Sequence, residues 1–156
     1  GPVSAEKAIA QAAEGIQDRL ATHHISLHID ATRPPATFLA DERRVVQALY
    51  NLLANAVGFS PANGTITVVA TQQNDRTVFA VADNGPGIPA ENQAKVFEWF
   101  EAEANGSRHR GASLGLTLVR SFVEMHGGRV AIESAPGRGT IVTCDFPNAP
   151  PARPAE

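Results

Sequence analysis

Thr77-Val78-Phe79-Ala80-Val81-Ala82-Asp83-Asn84-Gly85-Pro86-Gly87-Ile88-Pro89 joins an apolar run to a carboxylate and a G-x-G turn. Thr77 to Ala82 reads as a buried strand. A carboxylate at the end of such a strand can accept a hydrogen bond from an exocyclic amine. The two glycines let the backbone turn tightly and approach a flat ligand with no Cβ in the way. Pro89 suits the first turn of a helix, where its missing N–H costs nothing. Taken alone, the stretch also fits an ordinary Gly/Pro turn between a strand and a helix. Three further segments, in order along the chain, decide between these readings.

Upstream, Asp41 to Val57 patterns as an amphipathic helix, with Val45, Leu49, Leu52, Leu53 and Ala56 on one face. Asp41 is placed to cap it. Asn51 and Asn55 lie four apart on a face that adjoins the apolar stripe. An Asn carbonyl suits Mg²⁺, which borrows phosphate oxygens and keeps several waters. Read alone, the pair fits boundary asparagines bonded to nearby backbone better than a metal site.

Downstream come Val96-Phe97-Glu98-Trp99-Phe100, a polar stretch from Glu101 to Arg110, and Gly111-Ala112-Ser113-Leu114-Gly115-Leu116. The helix Thr117 to His126 follows and is stopped by Gly127-Gly128. Small residues at a helix N-terminus expose N–H groups that, with the dipole, form an anion site. The stretch from Glu101 to Arg110 has too few large apolar groups to pack and is expected to be a mobile flap.

Asn51-x-x-x-Asn55, Asp83-x-Gly85-x-Gly87, Phe97-x-x-Phe100 and Gly111-x-x-Leu114-Gly115-Leu116 together resemble the N box, first glycine box, F box and second glycine box of sensor histidine kinases. Gly137-Arg138-Gly139-Thr140 resembles that family's last glycine turn. The similarity runs from about Asp41 to Pro147. It implies the Bergerat ATP-binding fold shared with the gyrase, heat-shock chaperone and mismatch-repair ATPases, an α/β two-layer sandwich. By this resemblance Asn55 would coordinate Mg²⁺ and Asn51 would sit beside the phosphates of ATP. Asp83 would accept from the adenine amine, and Gly85, Gly87 and Ile88 would shape the adenine pocket. Gly111, Ser113, Leu114, Gly115 and Leu116 would direct backbone N–H groups at the phosphates. Thr140 would contact adenine through water. The run Arg108-His109-Arg110-Gly111-Ala112, with Arg120 to Gly128, also resembles alphaproteobacterial kinases, including the DivL-type cell-cycle proteins that lack the acceptor histidine.

Three positions depart from the family pattern. Gly58 stands where a Lys is common, Glu101-Ala102 where Tyr-Arg usually continues the F box, and Ser113 where the second glycine box has Gly. Arg108 and Arg110 can replace the lost cations at the phosphates, or form a solvated basic patch. The function implied is delivery of the γ-phosphoryl group of Mg·ATP to a histidine on a separate dimerisation helix, with a response regulator as the indirect partner. The alternative implied by the departures is a degenerate, non-catalytic interaction module. Hydrolysis of the gyrase or chaperone type is disfavoured, because those relatives carry Glu at the position of Asn51.

The whole chain bounds these readings. At 156 residues one domain is expected. A net charge of −3 with scattered basic residues argues against nucleic acid. The single cysteine excludes an internal disulfide. Cys144 alternates with Val142 and Phe146 and is expected to be a buried structural thiol. No apolar run approaches the ~18 residues of a membrane span. A cytoplasmic location is expected, with any membrane anchor on other sequence. Gly1-Pro2 reads as a cleavage scar, so residues 1–3 are expected to be disordered, 4–147 to form the domain, and the Pro/Ala-rich 148–156 to be disordered.

Coarse patterning places a helix over Ser4 to Thr22 and a strand over Ile25 to Ile29, with Ile25, Leu27 and Ile29 inward. Further strands are expected over Thr65 to Thr71, Thr77 to Ala82, Arg129 to Ser134 and Thr140 to Phe146, with a hairpin turn at Asn74-Asp75. Grouped rather than alternating elements suggest one mixed, mostly antiparallel sheet with helices packed on one face. His23, His24, His28, His109 and His126 lack the acceptor context of the family's phosphorylated histidine and read as structural or solvated.

Overall fold

In the computed structural model, which describes residues 2–31, 37–93 and 116–148, Ser4 opens the first helix by accepting from the Lys7 amide at 3.3 Å. This helix, α1 (Ala5–His23), buries Ala8, Ile9, Ala12, Ile16 and Leu20 along one stripe. It ends at His24, which adopts a left-handed conformation with φ 55°. Helix α2 (Glu42–Phe59) is capped by Asp41, whose carboxylate accepts from the amides of Arg43 and Arg44 at 3.0 and 3.4 Å. Its stripe of Val45, Leu49, Leu52, Leu53 and Ala56 is buried. A single turn, α3 (Ala90–Gln93), and α4 (Leu116–Met125) complete the described helices. The Gly128 amide reaches back to the Val123 carbonyl at 3.0 Å, and Gly127 sits at φ 81°. That is a left-handed glycine stop.

The strands are β1 (Pro2–Ser4), β2 (Ser26–Ala31), β3 (Thr37–Leu39), β4 (Thr65–Gln73), β5 (Arg76–Asp83), β6 (Arg129–Ser134) and β7 (Thr140–Pro147). Five of them form one sheet in the order β2-β4-β5-β7-β6. The β2/β4 pair is parallel and the others antiparallel. The mixed, mostly antiparallel sheet of the sequence reading is therefore present, with the helices on one face.

Register aligns the inward side chains in rows across the sheet. One row is Ala31, Ala70, Phe79, Cys144 and Val130, and the next is Ile29, Val68, Val81, Val142 and Ile132. The last is Leu27, Ile66, Asp83, Thr140 and Ser134. The first two are apolar and largely buried under the helices. Phe38 of β3 adds to them, stacking on Phe146 with ring centroids 5.0 Å apart and meeting Phe79 edge-on at 5.9 Å. Cys144 is fully buried, and burial, with Asp145 beside it, pushes its thiol pKa up to about 12. It is a structural thiol, as the alternation suggests.

Three expectations differ. Residues 2–4 form strand β1 against β3, and Val3 lies in the core at 1% exposure. One buried side chain in three residues is too short a pattern to read as a strand. Ile29 shares the helix-facing side of the sheet with Val68 yet is 47% exposed, because β2 is the sheet edge and only its β4 side is covered. Asn148 is anchored rather than disordered. Its amide donates to the Asp75 carbonyl at 2.7 Å, its carbonyl accepts from Leu39 at 3.1 Å, and its side chain accepts from the buried Thr77 hydroxyl at 2.7 Å.

The two apolar rows set unequal stakes for their members. Phe79→Ala should lower unfolding free energy by about 3–5 kcal/mol in urea titrations, through lost transfer energy and a cavity. Ile29→Ala should cost under about 1 kcal/mol, since that side chain is already half in water. Similar losses for both variants would place Ile29 in the core and contradict the edge assignment.

Candidate functional site

The third row is where the helix-covered face turns polar. Asp83 ends β5, Thr140 opens β7 directly opposite, and Ser134 ends β6 opposite Thr140. After Asp83 the chain turns back against α2, and a Cβ at Gly85 would drive into the Phe59 carbonyl. Two residues later Gly87 takes φ +81° beside the Ala135 carbonyl, a conformation and an approach that only glycine accepts without strain. The Pro86 carbonyl then accepts from Gly137 at 2.7 Å, which locks this turn to the β6–β7 turn.

Asp83 Oδ1 accepts from the Gly85 amide at 2.9 Å. Partial burial raises its carboxyl pKa above the ordinary range, while the amides of Gly85 and Thr140 pull the other way. The charged form is thus tolerated at a cost. Neighbouring Asn84 is spent on structure, accepting from the Thr65 amide at 2.9 Å.

On α2 the two asparagines face different circumstances. Asn51 is half-buried, and its Oδ1 accepts from Gln47 Nε2 at 3.1 Å. Its amide nitrogen is left as the outward donor, suited to an anion. Asn55 is 2% exposed, and its Oδ1 has no hydrogen-bond partner among the described residues. A buried acceptor without a donor costs roughly 1–3 kcal/mol. An unpaired carbonyl oxygen of this kind fits a cation ligand. Asn51, Asn55 and Phe59 lie at successive four-residue steps, so their line runs down α2 to the turn at Gly85. Asn51 also lines a groove of about 430 Å³ between α1, α2 and α4, with Arg19, Arg44, Gln47, Leu118 and Phe122. Asp83 is not among that groove's described walls.

Of the residues expected at the site, Asp83, Gly85, Gly87, Ile88 and Thr140 come together, with Asn51 and Asn55 on the adjoining helix. Leu116 opens α4 with its side chain in the core. Arg108, Arg110, Gly111, Ser113, Leu114 and Gly115, the F-box phenylalanines and the flap lie outside the described residues. His126 is a structural helix-end residue, its Nδ1 at 3.0 Å from the Phe122 carbonyl and its ring edge-on to Phe122. His23 lies 2.9 Å from the Arg19 carbonyl through its Nδ1, a local helix contact.

Sequence reasoning missed Ser134, Gln93 and Ser60. Ser134 Oγ accepts from the Ile88 amide at 2.7 Å, and Gln93 Nε2 donates to the carbonyls of Ile88 and Ser134 at 2.9 and 2.8 Å. The Ser60 hydroxyl, just past α2, is buried without a partner among the described residues. The signal for Ser134 was present, because a hairpin through Gly137-Arg138-Gly139 places it opposite Thr140. Gln93 acts through contacts, and Ser60 through burial, that no periodicity encodes.

Residues 40–150 match the family described as histidine kinase-, DNA gyrase B-, and HSP90-like ATPase. The circadian input-output histidine kinase CikA of Synechococcus elongatus is 35% identical over 159 residues, covering 99% of this chain and 21% of that protein. The sensor protein DivL of Caulobacter vibrioides is 35% identical over 123 residues, 79% of this chain and 16% of its own length. Full-length ShkA, solved in complex with AMPPNP, superposes with a TM-score of 0.82 at 33% identity, covering 99% of this chain and 32% of that one. The chain thus spans about a fifth of the length of the curated relatives it matches.

Asp83 should carry a cost to the fold. Its raised pKa means the folded state disfavours the carboxylate, so its contribution to stability falls as pH rises from the ordinary carboxylate range through the raised value. Without ligand at pH 7, Asp83→Asn should therefore melt at or above the wild-type temperature, an advantage that fades in acid. A clear drop in melting temperature at pH 7 would show that the carboxylate supports the fold instead.

Proposed function

Because this chain belongs to the histidine kinase-, DNA gyrase B-, and HSP90-like ATPase family, we propose that it binds Mg·ATP as the catalytic domain of a sensor histidine kinase. In this reading it passes the γ-phosphoryl group to a histidine on a separate dimerisation helix, in the cytoplasm, with a response regulator next in line. The observation that carries the reading is the polar row at the open end of the sheet, Asp83 opposite Thr140, beside a helix whose buried Asn55 oxygen lacks a donor.

Each group has one task here. Asp83 accepts from the adenine amine, and the Gly85 to Ile88 turn supplies a flat floor. Asn51 donates its free amide to a phosphate oxygen. Among the described residues no three His, Cys, Asp or Glu side chains cluster as a metal site. Mg²⁺ would be held by Asn55 Oδ1 with phosphate oxygens and water, and when bound it supplies neutralisation of phosphate charge. The amides of Gly111 to Leu116 and the side chains of Arg108 and Arg110 complete the phosphate contacts in this proposal.

Two outcomes test the roles. Asn55→Ala should weaken Mg²⁺-dependent ATP binding about tenfold or more while reducing Mg²⁺-free ADP binding far less, as expected for loss of a metal ligand. Equal losses by calorimetry would reduce Asn55 to a packing role.

The isolated chain should bind ATP without labelling itself, since His23, His24 and His28 lack acceptor context and Asn51 cannot activate water as a Glu does. Transfer should appear when a dimerisation helix bearing an exposed histidine is supplied, because proximity contributes much of such catalysis. A parent protein that has this histidine and never phosphorylates it would favour the interaction-module reading. Gly58, Ala102 and Ser113 would then be the residues at fault. Acid-labile phosphate on His23, His24 or His28 would contradict the separate-acceptor proposal.

A further inference from the structure

The Ser134 hydroxyl has one proton and two lone pairs, and three neighbours compete for them. The Ile88 amide lies 2.7 Å away and can only donate. The Gly139 carbonyl lies 2.8 Å away and can only accept. The Thr140 hydroxyl, at 2.9 Å, can do either. Ser134 must spend its proton on Gly139, because two oxygens at that separation repel unless a hydrogen lies between them. Its remaining lone pair then takes the Thr140 proton. Thr140 is 2% exposed, so no bulk water competes for that proton.

We infer that Ser134 is a specificity-determining positioning residue, which commits the Thr140 hydroxyl as a donor away from the ligand and leaves it only an acceptor toward the space beside Asp83. Asp83 and Thr140 are directly opposed on the same sheet face, a spacing of roughly 4.5–5.5 Å between Cβ atoms. Ionised Asp83 is also acceptor-only. A group seated between the two meets two acceptors and must bring protons. A water held there spends both protons on Asp83 and Thr140 and offers the ligand only lone pairs. At the ligand's 6-position, directly or through that water, the pair therefore favours an amine, which donates, over a carbonyl, which only accepts. Gln93 has a separate part, clamping the same turn through the Ile88 and Ser134 carbonyls without touching the hydroxyl polarity.

This inference rests on the nucleotide-binding proposal and sharpens it. The test compares affinities for ATP and for inosine triphosphate, which carries a carbonyl in place of the adenine amine, across variants. In Ser134→Ala the Thr140 proton is released, so the preference for ATP should shrink about fivefold, the worth of roughly one hydrogen bond. Ser134→Thr should restore the preference. Gln93→Ala should weaken both nucleotides by the same factor and leave the ratio unchanged. If Ser134→Ala proves unfolded, Thr140→Val must narrow the ratio in its place. A ratio equal to wild type in Ser134→Ala, or in Thr140→Val, overturns the inference and makes Ser134 a purely structural tie. Failure of the wild-type chain to bind ATP at all is a different result, and it removes the functional proposal together with this one.

Discussion

The row Leu27, Ile66, Asp83, Thr140 and Ser134 is the constraint on which the rest of the structure depends. The two rows beneath it are apolar and seal the sheet to α1, α2 and α4. At this third row the strands end, and three polar side chains replace the valines and phenylalanine of the other rows. A carboxylate is tolerable there because the Gly85 and Thr140 amides turn toward it. The turn can lie against α2 only because Gly85 leaves room for the Phe59 carbonyl. Register, glycine placement and helix position are therefore one condition. Slipping any strand by a single residue would bury the polar set and expose the apolar one.

Several groups carry a cost in the folded chain. Asp83 is held above its ordinary pKa, and Asn55 Oδ1 and the Ser60 hydroxyl are buried without partners among the described residues. They gather where α2 ends against the Asp83 turn. Costs concentrated in one place fit the proposed site, whose ligand would supply the missing partners, in keeping with the trade between stability and function. The proposed roles of Asn51 as anion donor and Asn55 as cation ligand rest on the same reasoning. Gln47 already occupies the carbonyl of Asn51, whereas nothing described occupies that of Asn55.

Much of this was legible in the chain. The stripes of α1 and α2, the glycine stop after α4 and the strand carrying Phe79 and Val81 follow from periodicity and capping, both of which are local. The inward position of Asp83 follows from alternation with Val81. Strand β1 was not legible, since only Val3 of its residues is buried. The exposure of Ile29 depends on which strand becomes the sheet edge, a property of topology rather than of the alternating segment itself. Ser134 and Gln93 matter through bonds spanning 46 and 41 positions, and no local pattern records these.

Calorimetric titration of this chain with ATP, with and without Mg²⁺, tests the central claim most directly. The account predicts saturable binding at one site that tightens when Mg²⁺ is added and disappears in Asp83→Asn. A folded chain that binds ATP under neither condition, or binds it undiminished in Asp83→Asn, would contradict it.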